Sequence, residues 1–201
     1  MHSIEHQLFS MTRRFLPSSF ATFTLMLFLF PVKIIKSFNP SFPKKNFPRY
    51  FSGARIDSPY TVPSTVNNVI LFDGVCNFCN KWVDFLLLVD QKKVFSFTAL
   101  QSESGKKLLQ QIGKDRNDIS SVVYIKKLDA SNTEVYYKSD AALKVMEQLG
   151  IGTRILSNTF SFLPLQFRDS VYDVVAFNRY NILGKREACR CGDTNSADRF
   201  L

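Results

Sequence analysis

The chain of 201 residues has few histidines and, beyond its first third, few prolines. Its two histidines, His2 and His6, lie near the start, so the rest of the chain offers no imidazole for acid–base catalysis or for mixed Cys/His metal sites. No Gly-rich phosphate-binding loop occurs, so we expect no built-in nucleotide or flavin cofactor. Hydrophobic residues make up 45% of the chain, which is typical of a globular protein and excludes a disordered one.

Acidic residues are almost absent from the first 56 residues. This segment has eight basic residues and one acidic residue, Glu5, and so carries +7 of the chain's net charge of +9. It also holds ten of the 20 phenylalanines but none of the four cysteines. The remainder is close to neutral, which removes the charge-based argument for a nucleic-acid or membrane-surface partner.

Residues 1–56 have the composition of an organelle presequence, since they are basic and rich in Ser, Phe and Pro. The stretch Arg49-Tyr50-Phe51-Ser52 resembles a mitochondrial processing site, which favours a mitochondrial address over a chloroplast one. One alternative is a secretory signal or anchor at the uncharged run 20–32, which is shorter than the ~20 residues of a membrane span. Another is that the segment belongs to the fold. The predicted organisation is a presequence (1–56), a linker (57–66), a domain (67–192) and a flexible tail (193–201).

From Val69 onwards, apolar runs alternate between the patterns of strands and helices. The predicted order is β-α-β-α-β-β-α, with strands at 69–72, 94–98, 121–125 and 134–137 and helices at 76–89, 102–111 and 139–149. A βαβ unit followed by a ββα unit is the thioredoxin-like arrangement, with the first strand pair parallel and the last antiparallel. A further helix, from Pro164 to Gly184, has Phe167, Val171, Val174 and Val175 at helical spacing. The predicted class is therefore α/β, thioredoxin-like, with an additional C-terminal helical region.

Cys76 and Cys79 form a Cys-x-x-Cys motif between a predicted strand and a predicted helix. The unpaired N–H groups of a first helical turn stabilise a thiolate, which lowers its pKa from the free value of ~8.5. We expect Cys76, at the turn, to be the more exposed thiol and the nucleophile. Cys79 faces back along the helix and is expected to resolve a mixed disulfide.

Other interpretations of the cysteines stay open at this point. The four could form a structural zinc site, with Cys76 and Cys79 as one half and Cys189 and Cys191 as the other, although the second spacing is tighter than that of usual zinc knuckles. The thiols could also be inert buried side chains. Cys191 could be incidental or could pair with Cys189.

The segment Asp73-Gly74-Val75-Cys76-Asn77-Phe78-Cys79 resembles the DCC family, which is named for its Asp-x-x-Cys-x-x-Cys motif. The likeness continues through 121–124 and 137–143 to a C-terminal signature at Leu163-Pro164, Arg168-Asp169-x-x-Tyr172-Asp173, Asn178-Arg179-Tyr180, Gly184 and Cys189. It covers residues 67–190. With the basic segment ahead of it, the expected protein is an organelle-targeted member of the kind found in plants. The resemblance implies a thioredoxin-like fold and thiol-disulfide oxidoreductase activity.

The resemblance implies that Cys76 and Cys79 are the redox pair and adds Asp73 as the third motif residue. Asp73 can act as a turn or helix-cap residue, or as a carboxylate that relays a proton when Cys79 attacks. Arg168, Asp169 and Arg179 are expected to form a structural ion-pair and hydrogen-bond set. The alternative is that Arg179 brings positive charge to a substrate groove.

The expected function is thiol-disulfide exchange with a protein or small-molecule thiol or disulfide. The motif's middle residues, Asn77 and Phe78, differ from the Gly-Pro of thioredoxin, so the direction of exchange stays open. The residues before the third domain strand, Asp118-Ile119-Ser120, offer no cis-proline platform like that of thioredoxin. The alternatives are a zinc-binding module and an interaction domain without redox turnover. We expect no stable membrane span in the processed form, and the oligomeric state stays open.

Overall fold

A mixed five-stranded sheet lies at the centre of the computed structural model, which describes residues 54–56, 67–127, 133–192 and 194–201. The strands are β1 (Ala54–Ile56), β2 (Asn68–Phe72), β3 (Ser96–Ala99), β4 (Val123–Lys127) and β5 (Thr133–Tyr137), in the spatial order β1-β5-β4-β2-β3. β2 and β3 are parallel, and the other neighbouring pairs are antiparallel. The predicted α/β, thioredoxin-like fold class is confirmed.

The helices described are α1 (Asn77–Val89), α2 (Glu103–Gln111), α3 (Lys138–Leu149), α4 (Ile151–Ser161) and α5 (Leu165–Leu183). A 3-10 segment, Thr194–Arg199, follows them. The sequence did not predict α4, because Gly150 and Gly152 at its start lower helix propensity. Phe167 is 57% exposed and Val171 is 37% exposed, so the apolar spacing along α5 did not identify a buried face. None of the described helices is long and apolar enough to cross a membrane.

The interior strand β2 separates two hydrophobic clusters, one on each face of the sheet. Alternate residues of a strand point to opposite faces. Val69 and Leu71 pack with Leu109 of α2 in one cluster. Ile70 and Phe72 join the other cluster, which contains residues of α1 and α3. Because helices cover both faces, β2 is a continuous apolar run, and its last residue leads directly into the Cys-x-x-Cys loop.

The C-terminal residues differ from the flexible tail predicted for 193–201. Leu201 N–H donates a hydrogen bond to the Phe97 carbonyl at 3.0 Å, and the Phe200 ring lies edge-on to that of Phe72 at 6.3 Å. The buried Arg199 guanidinium pairs with the buried Asp90 carboxylate. A short polar stretch gives no periodic signal of its own, so these contacts with distant parts of the chain could not be predicted from it.

The strand β1 lies inside the predicted presequence. It pairs antiparallel with β5, with Ala54 opposite Val135 and Ile56 opposite Thr133. Three residues are too few to show a strand periodicity, which is why the sequence did not indicate it. The rest of the predicted presequence and the predicted linker 57–66 lie outside the described residues. Processing at the Arg49-Tyr50-Phe51-Ser52 stretch stays a prediction, and cleavage there, before Ser52, would leave β1 in the processed chain.

Substitution of Arg199 by Met is expected to lower the free energy of unfolding by about 3 kcal/mol, because it leaves the Asp90 carboxylate buried without its charged partner. In the variant, Asp90 keeps hydrogen bonds from the Val94 and Phe95 N–H groups at 3.0 Å. Because these bonds still stabilise the carboxylate, the expected loss in free energy of unfolding is at the low end of the range for a broken buried ion pair. Urea unfolding measures it. In the matched control Asp198→Asn, which breaks an exposed pair with Lys93, the midpoint should not move. Equal midpoints for the two variants would contradict the prediction.

Candidate active site

The loop between β2 and α1 places Cys76 at the start of a helix, as predicted. Cys76 is the N-cap residue of α1, with extended backbone angles (φ −83°, ψ 117°). Its Sγ accepts a hydrogen bond from the Cys79 N–H at 3.4 Å. Ser, Thr, Asp and Asn usually fill this position with a side-chain oxygen. Here a sulfur takes the place of that oxygen, so a first-turn N–H points at a thiol.

The two free thiols have unequal acidity. The side-chain hydrogen bond from Cys79 lowers the pKa of Cys76 from 9.0 to about 7, with help from the Cys79 N–H and against the effect of burial. The positive charge of Arg179 lowers this pKa further, and the negative charge of Asp73 raises it. The same hydrogen bond, together with burial, raises the pKa of Cys79 well above 9.0. At pH 7 about half of Cys76 is therefore thiolate, whereas Cys79 is a thiol.

A segment formed by residues 184–190, which we call the strap, follows α5 and covers the first cysteine. Its backbone forms an antiparallel bridge with Cys76, and Arg186 N–H donates to the Val75 carbonyl at 2.8 Å. Cys76 is therefore 0% exposed, whereas Cys79 is only partly buried. The prediction that Cys76 is the more exposed thiol is wrong, because a distant part of the chain lies over it.

Asp73, the first motif residue, is 3% exposed and has both carboxylate oxygens occupied. Oδ2 accepts from Arg179 Nη2 at 3.1 Å and from the Tyr180 hydroxyl. Oδ1 accepts from Gln101 Nε2 at 2.7 Å and from the Val75 N–H at 3.2 Å. The Val75 contact is that of an Asx turn. This geometry corresponds to the turn-residue interpretation of Asp73, and its occupied oxygens leave little capacity for a proton relay.

Gln101 is a site residue that the sequence analysis missed. It holds the loop from two sides, since its Nε2 donates to Asp73 while its Oε1 accepts the Gly74 N–H at 3.0 Å. β2 and β3 are parallel, with Phe72 in register with Ala99. Residues that follow neighbouring parallel strands meet at the same sheet edge, so a polar residue just after β3 was the available signal.

The three charged residues predicted as one set on α5 contact different partners. Arg168 Nη1 donates to Asp140 at 2.6 Å, and Asp169 accepts from the Ser139 hydroxyl. Arg179 contacts Asp73 as described above. Burial disfavours the charge of Arg179, but its hydrogen bond with Tyr180 and the charge of Asp73 outweigh burial and raise its pKa. Together these contacts fasten α5 to α3 and to the loop.

A small cavity lies between Phe78, inside the motif, and the residues that precede β4. Its volume is about 50 Å³, and Tyr172 and Arg179 line it from α5. The Tyr172 hydroxyl accepts the Val122 N–H at 2.9 Å at its border. A space of this size fits one or two water molecules. Arg179 therefore faces a water-sized cavity rather than a groove that could hold a peptide.

The other two cysteines form a disulfide, Cys189–Cys191, whose Cα atoms are 5.3 Å apart. Cys76 and Cys79 are free thiols. The four sulfurs are thus divided into a disulfide and a dithiol and do not converge as zinc ligands. Within the described residues, no three Cys, His, Asp or Glu side chains are grouped so that they could hold a metal ion.

The rate at which iodoacetamide alkylates Cys76 is expected to follow a pKa of about 7. Because the Cys79 thiol is the largest cause of this low value, the variant Cys79→Ala should move the inflection upward, toward 9.0. The matched variant Cys79→Ser keeps a hydroxyl donor and should hold the inflection close to that of the native protein. Cys76 is the one free thiol of the described residues in both variants, so the alkylation rate against pH reports on it alone. The same inflection in the two variants would contradict the assigned cause.

The chain is similar in sequence to one protein family and to two individual proteins. The profile of the family described as DCC1-like thiol-disulfide oxidoreductase matches residues 70–185. A chloroplastic DCC family protein of Arabidopsis thaliana is 43% identical over 121 residues, which are 60% of this chain and 67% of that protein. The uncharacterized protein YuxK of Bacillus subtilis is 40% identical over 135 residues, which are 67% of this chain and 94% of that protein. No solved structure gives a significant match.

Proposed function

Because the chain belongs to the DCC1-like thiol-disulfide oxidoreductase family, we propose that it exchanges disulfides through Cys76 and Cys79. The Cys76 thiolate attacks one sulfur of a substrate disulfide, and the other sulfur leaves as a thiolate. Cys79 then transfers its proton to the thiolate that has left, directly or through water, and attacks the Cys76 sulfur. The bond between Cys76 and the substrate breaks, the second substrate sulfur leaves as a thiolate, and the Cys76–Cys79 disulfide forms. The substrate class is a protein or small-molecule thiol or disulfide.

One observation carries this proposal: the Cys76 sulfur accepts hydrogen bonds from both the backbone and the thiol of Cys79. The donors stabilise the thiolate, which is the nucleophilic form of cysteine. An attacking thiol is most effective when its pKa is near the ambient pH. A pKa of about 7 meets that condition at neutral pH.

We assign Asp73 a positioning role within this mechanism. Its carboxylate holds the loop through Val75 and Gln101 and holds Arg179 near the thiols. The negative charge of Asp73 and the positive charge of Arg179 act on the pKa of Cys76 in opposite directions. The two charges of the ion pair therefore offset each other in part, and the pKa of Cys76 is set mainly by Cys79.

We further propose an organelle, and specifically the chloroplast, as the site of action. The chloroplastic relative from Arabidopsis thaliana and the basic composition of residues 1–56 support this location. The preference for the mitochondrion, which rested on residues 49–52, has no support from that relative. Expression of the full chain in leaf cells, with a fluorescent protein after Leu201, should give fluorescence that overlaps chlorophyll. Fluorescence confined to mitochondria would contradict the chloroplast assignment.

The exchange itself is tested by a redox titration of the full chain in glutathione buffers. We expect one disulfide to form between Cys76 and Cys79, identified by peptide mapping after acid quenching. The Cys79→Ser variant should accumulate a mixed disulfide with a substrate at Cys76, because the resolving thiol is absent. If Cys76 and Cys79 stay reduced at all potentials and nothing is captured, the proposal fails and an interaction domain without redox turnover becomes the better explanation.

A further inference from the structure

The Cys189–Cys191 disulfide lies against the loop that carries the two free thiols. Arg190 N–H donates to the Gly74 carbonyl at 3.0 Å. A Cβ atom built on Gly74 would lie 2.7 Å from the Cys189 sulfur, so only glycine leaves the space that this sulfur occupies. Gly74 is two residues before Cys76 in the chain. A disulfide sulfur is thus held at the candidate active site, although the exchange described above does not use it.

The two cysteine pairs differ in their access to solvent. Cys191 is exposed and Cys189 is half-buried, whereas Cys76 is fully covered by the strap. An open groove of about 470 Å³ has Cys189 in its wall, together with residues 186–188, Arg190 and Gly192. The surface beside the disulfide is therefore open to solvent, while the cavity behind Phe78 holds about 50 Å³.

We propose that the Cys189–Cys191 disulfide is a second redox centre, which exchanges electrons with the Cys76–Cys79 dithiol and meets external thiols and disulfides at the exposed Cys191. The inference rests on the proposed function of Cys76 and Cys79. It adds a route by which electrons pass between the covered Cys76 thiolate and thiols or disulfides in solution.

The internal exchange conserves atoms and electrons within the chain. The Cys76 thiolate attacks the Cys189 sulfur, the Cys189–Cys191 bond breaks, and Cys191 leaves as a thiolate. Cys79 transfers its proton to the Cys191 thiolate, directly or through water, and attacks the Cys76 sulfur. The Cys76–Cys189 bond breaks, and the Cys189 thiolate takes a proton from water. Two electrons have moved, so that Cys76 and Cys79 form a disulfide while Cys189 and Cys191 are thiols.

The arrangement of the sulfurs favours this order of attack. Cys189 is the sulfur that lies against the loop at Gly74, so we assign it as the sulfur that Cys76 attacks. The leaving Cys191 is exposed, so water can hydrate its thiolate. Exposed disulfides are in general the labile ones. Contact between the two sulfurs requires the strap to shift, and its backbone is held to the loop by hydrogen bonds at Gly184, Arg186 and Arg190. The reverse reaction carries electrons from an external thiol inward.

The first test measures entry of electrons from reduced glutathione into the full chain oxidised at both pairs. Appearance of the Cys76 and Cys79 thiols is followed by acid quenching, alkylation and peptide mapping. We expect the double variant Cys189→Ser, Cys191→Ser to be reduced at least about tenfold more slowly than the native chain, because the covered Cys76–Cys79 disulfide has lost its exposed partner. Reduction at the native rate would overturn the inference, yet would leave the proposed function intact, since Cys76 and Cys79 would still cycle.

The second test does not depend on how well that variant folds. The variant Cys79→Ser, Cys191→Ser keeps only Cys76 and Cys189 of the four cysteines. Mild oxidation with diamide should give an intramolecular Cys76–Cys189 disulfide in most chains, identified by non-reducing peptide mapping of the monomer. The matched variant Cys79→Ser, Cys189→Ser, which keeps Cys76 and Cys191, should form its cross-link several-fold more slowly. Absence of the Cys76–Cys189 bond, or equal rates in the two variants, would overturn the assigned path.

Discussion

The substitution Cys76→Ser is expected to lower the rate at which the protein reduces a disulfide by roughly three orders of magnitude or more, since loss of a covalent nucleophile is among the most damaging changes to an enzyme. Cys79 is a poor replacement, because burial and the negative charge of Asp73 also raise its pKa, and both remain when Cys76 is replaced. A hydroxyl at position 76 is not ionised at this pH. The insulin reduction assay with dithiothreitol as electron donor measures the rate.

Two comparisons make this result specific to the nucleophile. Cys79→Ser keeps the Cys76 thiolate, so it should lose turnover but still form mixed disulfides with the substrate. Cys191→Ser is a chemically identical change that breaks the second disulfide but keeps the Cys76 nucleophile, so it should reduce the rate by about tenfold, far less than Cys76→Ser. If Cys76→Ser keeps more than a tenth of the native rate, Cys76 is not the nucleophile of the reaction.

The substitution Asp73→Asn is expected to lower the free energy of unfolding by about 4 kcal/mol, because breaking a buried ion pair leaves the other charge without compensation. The side chain of Arg179 is 12% exposed, and that of Asp73 is 3% exposed. The substitution would also place an amide group among donors, since Arg179, Tyr180 and Gln101 all donate to the native carboxylate. Urea unfolding of the reduced protein gives the loss from the shift in midpoint.

A second carboxylate offers the control for this prediction. Asp84 pairs with Arg190 but is 59% exposed, so Asp84→Asn should change the free energy of unfolding by less than about 1 kcal/mol. The double variant Asp73→Asn, Arg179→Met should lose less than the sum of its single changes, because it removes both buried charges. A loss below about 1 kcal/mol for Asp73→Asn would show that the ion pair does not stabilise the fold.

The features that the sequence predicted correctly depend on neighbours in the chain. The order of strands and helices follows from apolar periodicity, and the place of Cys76 before α1 follows from a strand, a turn and a helix in succession. The unequal roles of the two cysteines, assigned from the same local sequence, stay a prediction. The α4 helix escaped prediction because its glycines obscure an otherwise helical stretch.

The features that it did not predict depend on contacts across the fold. The strap that covers Cys76 comes from beyond α5, and Asp73 meets Tyr180 across 107 residues of sequence. Hydrophobic periodicity gives no information on contacts between positions so far apart in the sequence. The exposure of Cys76 was therefore wrongly predicted, and the hydrogen-bond partners of Asp73 were not predicted in full. Gln101 could have been found, because the parallel pairing of β2 and β3 was predicted and brings the ends of both strands together.

The C-terminal contacts also bear on the edge of the sheet. β3 lies at one edge of the sheet, and edge strands offer unpaired backbone groups on which another chain can add a strand. Phe200 forms a parallel bridge with Phe97, and Leu201 N–H occupies the Phe97 carbonyl. Phe200 and Leu201 therefore occupy part of the β3 edge, and we expect a variant that lacks them to expose an apolar edge strand.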